Sequence, residues 1–388
     1  MQNVLRRRQF SAGLAVAAVP FITPRYAQAQ IAEGGTIMVG QSAVLSGVWK
    51  GVGEPLTAGV RLAFDEANAN RNAGLGQRKI ELHTLDDGYN PQRAVDNTQR
   101  LINSGAFALL GYTGTAVCLA AGAVAMRAQI PFFAPFTGAR EVHQPFNRWV
   151  FHVRAPYDAE VERMVSQLVR LGLTRFAVLH RGDAFGDAAT ESVNTALATH
   201  GMSLATVGTH NESGSSDMEA TVKSLLAARP QAILQANTAA ACAAFVRAAR
   251  QAGYGGMFYH LSITGAEALS AALGKDAEGV VVSQIVPSPY KETHILTRDF
   301  LEASKKHGPV RPSYLSLEGY LSGRVFIEGV RNAIAQSGGK LTREALVVGL
   351  ESIKQRVADV SVAYSASSHQ GSRFVEMSML TGDGRVRV

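Results

Sequence analysis

The chain has 388 residues, of which 46% are hydrophobic and 18% charged, and a formal net charge of +7. That length exceeds what one ordinary core fills, so about two domains are expected. Four units of that net charge come from Arg6, Arg7, Arg8 and Arg25, in an opening stretch without acids. The basic balance is therefore largely a property of the first thirty residues. With no basic runs interleaved with aromatics, it gives no case for nucleic acid.

Residues 1–30 read as an export signal. Arg6–Arg8 form a basic start, Ala12–Ile22 an apolar run, and Ala27-Gln28-Ala29 a small-residue cleavage pattern before Gln30. Arg7-Arg8-Gln9-Phe10 has the look of a twin-arginine signal, with an arginine-rich general-secretion signal as the alternative. The apolar run is too short to span a bilayer, which takes about 20 residues. No cysteine follows it to carry lipid, so no membrane anchor is expected.

From Thr36 onward, strand and helix signals alternate. Strands are predicted at Thr36–Gln41, Lys79–Leu85, Ala106–Gly111 and Ile130–Ala134, with helices at Pro55–Asn70, Pro91–Asn103 and Ala116–Arg127 between them. After Trp149–Arg154 the pattern restarts. Helices at Glu160–Leu171, Phe185–His200, Asp217–Ala228 and Ala239–Gln251 alternate with strands at Arg175–His180, Ser203–Gly208, Gln231–Gln235, Met257–His260 and Gly279–Gln284. Such alternation predicts parallel sheets with helices on both faces, here two α/β units in tandem. The tail reads differently. Helices at Thr293–Lys306, Tyr314–Gln336 and Thr342–Leu350 precede strands at Val360–Tyr364 and Arg373–Leu380. A tail of that kind could return material to both units. Cys118 and Cys242 sit in Ala-rich helical stretches of different halves and are expected as buried, unpaired thiols.

Ligands of open α/β sheets bind beyond the carboxyl ends of strands, near helix N-termini. Gly111–Thr115 has glycines that free the backbone, the hydroxyls of Thr113 and Thr115, and the start of a helix, which together make a cradle for a carboxylate. Phe136-Thr137-Gly138 follows the neighbouring strand, and Gln41–Gly53 brings Ser42, Ser46 and Trp49. Glycine and threonine also suit plain tight turns. From the second unit come Asp183, Phe185, Thr238 and Ser262; Phe185 could equally be a core residue, and Asn237 and Ser262 helix caps. There is no G-x-S-x-G, H-E-x-x-H or phosphate-loop motif, no third glycine after Gly51-Val52-Gly53, and no local histidine pair. Asp86-Asp87, followed by Gly88, reads as a strand-end turn. No catalytic residue, metal or cofactor is expected.

These segments, in this order, resemble the type I periplasmic binding proteins, in particular the leucine/isoleucine/valine-binding branch. The resemblance rests on Leu45-Ser46-Gly47, Asp86–Pro91, Gly111–Thr115, Pro135–Gly138, Phe185-Gly186 and Ala248–Gly253, and spans the chain beyond the signal. It implies two doubly wound parallel-sheet lobes, 31–155 plus 287–364 and 156–286 plus 365–388. Three hinge crossovers would fall near Arg154–Pro156, Ile285–Pro287 and Tyr364–Ser368. It also implies a ligand carboxylate held at Thr115 and Phe136–Gly138, aromatic positions at Phe185 and Thr238, and an ammonium-binding acid at Ser262. Ser262 is not acidic, Thr238 is not aromatic, and Tyr89 and Gly114 stand where close amino-acid binders have a disulfide. The expected function is that of a monomeric periplasmic component of an ABC importer. It would bind an amino acid or a related aromatic, branched or keto acid and deliver it to permease subunits. A ligand sensor signalling to a partner protein is the alternative, and a small exported enzyme a poorer one. Because Ser262 lacks a charge, with only Asp183 or Glu267 in reserve, a carboxylate without an α-ammonium group is the expected preference.

Overall fold

The computed structural model describes residues 30–70, 73–211 and 218–388. The stretch expected to be an export signal therefore lies outside the described residues, apart from Gln30. Among the described residues no helix is long and apolar enough to cross a membrane.

Two sheets organise the chain. The first has five parallel strands in the spatial order Lys79–Asp86, Thr36–Ala43, Ala108–Leu110, Phe132–Phe133, Val150–Phe151. The second runs Val386–Arg387, Glu376–Leu380, Val281–Gln284, Met257–His260, Ala232–Ala236, Phe176–His180, Thr206–Thr209. Its last five strands are parallel, while Glu376–Leu380 joins Val281–Gln284 antiparallel. The central strands Ala108–Leu110, Phe176–His180 and Ala232–Ala236 are buried along their whole length. They read as largely apolar runs for that reason, His180 and Gln235 excepted, as strands covered on both faces do.

The tail serves both sheets. Helix Tyr314–Gln336 packs along helix Lys50–Ala69 beside the first sheet. Glycine makes that approach possible. A Cβ on Gly59 would stand 2.0 Å from the Ser316 carbonyl oxygen, and one on Gly319 would stand 2.0 Å from that of Leu56. Arg343 donates to the carbonyls of Ala106 and Phe107 and ties the next helix, Arg343–Glu351, to the same side. Two expectations need adjustment. Helix Lys50–Ala69 begins before Pro55, since a proline in its second turn leaves only one backbone acceptor without its donor. Val360–Ala363 pairs only with Lys354–Val357, as a separate hairpin, because the polar Lys354–Arg356 run suits an exposed two-stranded ribbon and not a sheet interior. Cys118 and Cys242 are both buried thiols.

The glycine seam generates a prediction. Gly319→Ala places a methyl group into a backbone carbonyl that neither helix can withdraw without parting. The variant should lose about 3 kcal/mol, the upper end for overpacking, read as a lower urea midpoint with an unchanged slope. A midpoint like that of the wild type would mean that the helices separate at little cost.

Candidate functional site

The carboxyl ends of the first sheet carry four loops, and two aspartates set their shape. Asp86 accepts hydrogen bonds from Leu45 N (2.9 Å), Ser46 Oγ (2.6 Å) and Gly88 N (3.0 Å). Asp87, fully buried, accepts from Ser42 Oγ (2.7 Å) and Tyr89 N (2.8 Å). Tyr89 is thereby held at φ 64, with its ring lying on Gly114, where a Cβ would stand 2.3 Å from the ring edge. Trp49 stacks on Tyr89 with ring centres 5.2 Å apart.

Beneath this aromatic pair, Thr115 Oγ1 and Thr137 Oγ1 share a hydrogen bond of 2.8 Å, and Thr137 reaches the Tyr157 hydroxyl at 3.4 Å. Thr115 opens helix Thr115–Arg127, whose preceding residue Gly114 has φ 94. The hydroxyls thus stand at the positive end of a helix dipole. Thr113 Oγ1 and Trp49 Nε1 are buried without a hydrogen-bond partner.

The second sheet supplies the facing side. Asp183 caps helix Ala184–Ala198 through Phe185 N and Gly186 N (both 3.1 Å), pairs with Arg181 at 2.9 Å, and accepts from the Tyr89 hydroxyl at 3.5 Å. Phe185 meets Trp49 and Tyr157 edge-on, each with ring centres 5.7 Å apart. Trp49, Tyr89, Tyr157 and Phe185 therefore form one aromatic group that joins the two sheets' loops.

The floor is charged. Arg154, 2% exposed, lies 3.4 Å from Glu160 and 3.5 Å from Glu318, and donates to Ser262 Oγ at 2.5 Å. Glu160 also accepts from Ser262 N (2.9 Å) and Ser283 Oγ (2.5 Å). Burial works against the Arg154 charge, but the Glu318 and Glu160 carboxylates hold its pKa above the usual value. Glu318 has the opposite fate. Burial raises it to about 7, an effect that Arg154 counters only in part, and its Oε1 accepts no hydrogen bond.

A model of the family described as periplasmic binding protein matches residues 36–384. The chain belongs to that family. Its fold is the type I periplasmic binding fold, two α/β lobes with largely parallel sheets. A possible leucine/isoleucine/valine-binding protein from Rhodopirellula baltica SH 1 is 29% identical and superposes with a TM-score of 0.82 over 90% of this chain and 95% of its own. A substrate-binding periplasmic protein from Ralstonia solanacearum is 30% identical, with a TM-score of 0.81 over 90% and 99%. An ABC transporter substrate-binding protein from Aeropyrum pernix shares the fold at 17% identity, with a TM-score of 0.79 over 91% and 94%. Among curated proteins none matches.

In this binding protein Trp49, Thr115, Thr137, Asp183 and Phe185 gather around the aromatic group, Ser262 lies on Arg154, and Thr113 is on the adjoining turn. Three expected residues serve other ends. Thr238 accepts from Ala241 N at 3.2 Å and caps helix Ala239–Gln251. Phe136 turns its ring against Gly111 and not toward the stacked aromatics. Gly138 accepts from Tyr157 N at 2.8 Å, and a Cβ there would stand 2.5 Å from that nitrogen, so close packing requires glycine. Asp183 and Glu267 are not the only acids within reach of Ser262: Glu160 accepts from its amide, and the Arg154 guanidinium donates to its hydroxyl. Glu267, held in reserve as a counter-charge, instead accepts from Tyr290 Oη (2.7 Å) and Tyr314 N (3.0 Å).

Tyr89, Arg154, Tyr157, Glu160 and Glu318 were missed. For Glu318 a signal existed, since a lone carboxylate among Leu315, Leu317, Tyr320 and Leu321 is a buried charge in want of a cation.

The raised value of Glu318 sets a pH dependence. Below its ordinary value of 4.5 the carboxyl is protonated in both the folded and the unfolded chain, and its ionisation costs the fold nothing. Between pH 4.5 and about 7 the unfolded chain gains by ionising a group that the fold keeps protonated, so stability is lost as pH rises across that window. Glu318→Gln has no proton to lose. Its urea midpoint should therefore gain on that of the wild type between pH 5 and pH 8, whereas an equal offset at both values would contradict the assignment.

Proposed function

We propose that this protein is the substrate-capturing component of an ABC importer and binds a small carboxylate between its lobes. The observation that carries the reading is the Thr115–Thr137 hydroxyl pair at the start of helix Thr115–Arg127, beneath an aromatic group drawn from both sheets. Hydroxyls at a helix N-terminus suit an anion, and Trp49, Tyr89 and Phe185 suit a flat or branched apolar body. The likeness to a possible leucine/isoleucine/valine-binding protein from Rhodopirellula baltica and a substrate-binding periplasmic protein from Ralstonia solanacearum supports capture of a small organic ligand. Export through the Arg7-Arg8 signal belongs to the same reading.

The ligand lacks an α-ammonium group in this proposal. Glu160 is already engaged by Arg154, Ser262 N and Ser283, and the group bonded to the Ser262 hydroxyl is a guanidinium, which repels an ammonium.

Calorimetry with matched pairs tests this. Phenylpyruvate should bind tighter than phenylalanine, and the keto acid of leucine tighter than leucine; consistently tighter binding of the amino acids would refute it. Thr115→Val keeps the shape and removes one donor to the anion. Affinity should fall about 10- to 150-fold, the worth of a hydrogen bond to a charged group, while the fold loses no more than the ~1 kcal/mol of the neutral bond to Thr137. An unaltered Kd would make Thr115 a turn residue only.

A further inference from the structure

Away from the cleft, a groove of about 840 Å³ runs between helix Ala266–Leu273, the turn at 382–385 and the segment Arg311–Pro312. We infer that this groove is a second small-molecule site and that it takes a small zwitterion, with its ammonium at Glu267 and Ser270 and its carboxylate toward Arg311. The inference is independent of what the cleft binds.

Glu267 is the anchor. One carboxylate oxygen is fixed by the Tyr290 hydroxyl at 2.7 Å and Tyr314 N at 3.0 Å, while the other, Oε2, is buried with no hydrogen-bond partner. Ser270 lies one helical turn on, so its side chain shares a face with Glu267. It is 4% exposed, lines the groove, and its hydroxyl is likewise without a partner. Two oriented, unsatisfied oxygens in one wall call for a donor with several hydrogens, which an ammonium is. The Tyr290 ring lines the same groove and adds a π-face for a cation.

The remaining charges choose the rest of the ligand. Lys275, Arg311 and Arg385 line the groove against Asp383 and Glu267, so fixed cations outnumber fixed anions. A bare amine would meet net repulsion there, whereas an amine that also bears a carboxylate satisfies both ends. The volume falls in the range of small-molecule sites. The walls come from both halves of the fold. Glu267 and Ser270 lie between strands of the second sheet, while Arg311 leads into helix Tyr314–Gln336 beside the first. An occupant therefore bridges the two.

The test is calorimetric titration of the mature protein with glycylglycine, with N-acetylglycine, which lacks the ammonium, and with glycinamide, which lacks the carboxylate. Glycylglycine should bind, and removing either charge should weaken binding at least about tenfold. Glu267→Gln and Arg311→Ala should each weaken glycylglycine by a similar factor, while phenylpyruvate binding in Arg311→Ala stays as in the wild type. That second readout separates failure of the groove from failure of the cleft. Absence of glycylglycine binding, or undiminished affinity in both variants, overturns the site. So does weakening by Thr115→Val alone, which would put the zwitterion in the cleft.

Discussion

A single buried guanidinium holds the centre of this molecule together. Arg154 leaves the last strand of the first sheet and is met by a carboxylate from each side: Glu160 on the first helix of the second lobe and Glu318 on the long helix that packs beside the first. Taking the Arg154 and Glu160 charges out of water is costly, and breaking a buried pair by removing one partner typically costs about 3–5 kcal/mol, because the other is left uncompensated. Ser262 and Ser283 complete the cluster from neighbouring strand ends of the second sheet. Arg154 and Glu160 are close in the chain, but three further segments, carrying Ser262, Ser283 and Glu318, must arrive in register before the cluster is complete. The cluster fixes where one lobe stands against the other more than it adds to net stability.

The two aspartates at the end of strand Lys79–Asp86 do comparable work on a smaller scale. Their carboxylates bond to loop amides and serine hydroxyls, and they orient Tyr89 beneath Trp49. A pair that might be taken for acid–base machinery is thus scaffolding. Burial pushes the carboxyl of Asp87 above its usual range, while Asp86, nearer solvent, is also opposed by burial but is held lower by Ser46 and by the amides of Leu45 and Gly88.

The alternation of strands and helices was legible because it is local: a buried strand announces itself in a short apolar run, and a cap in one Asn or Asp. Asn90 before Pro91 and Asp183 before Ala184 behave in this way. The loops of the first lobe were legible for the same reason, since glycines and threonines at strand ends mark where a backbone must turn. The cleft floor was not. Arg154 and Ser262 are 108 positions apart, and Glu160 and Ser283 are 123; nothing in either neighbourhood names the other. Thr238 misled because a side chain that caps a helix and one that lines a cleft occupy the same kind of position, the residue just after a strand. Gly138 misled in the opposite sense, its small size serving the close passage of Tyr157.

Two tryptophans occur in the chain, and their settings differ. Trp49 is 4% exposed and wedged between Tyr89 of its own lobe and Phe185 of the other, while Trp149 is only partly buried, with the Arg148 guanidinium over its ring. Parting the lobes withdraws Phe185 and wets one indole, leaving the other where it was. The protein thus carries a built-in optical gauge: the blue edge of its emission belongs to the closed form, and a shift toward red reports opening without any attached dye.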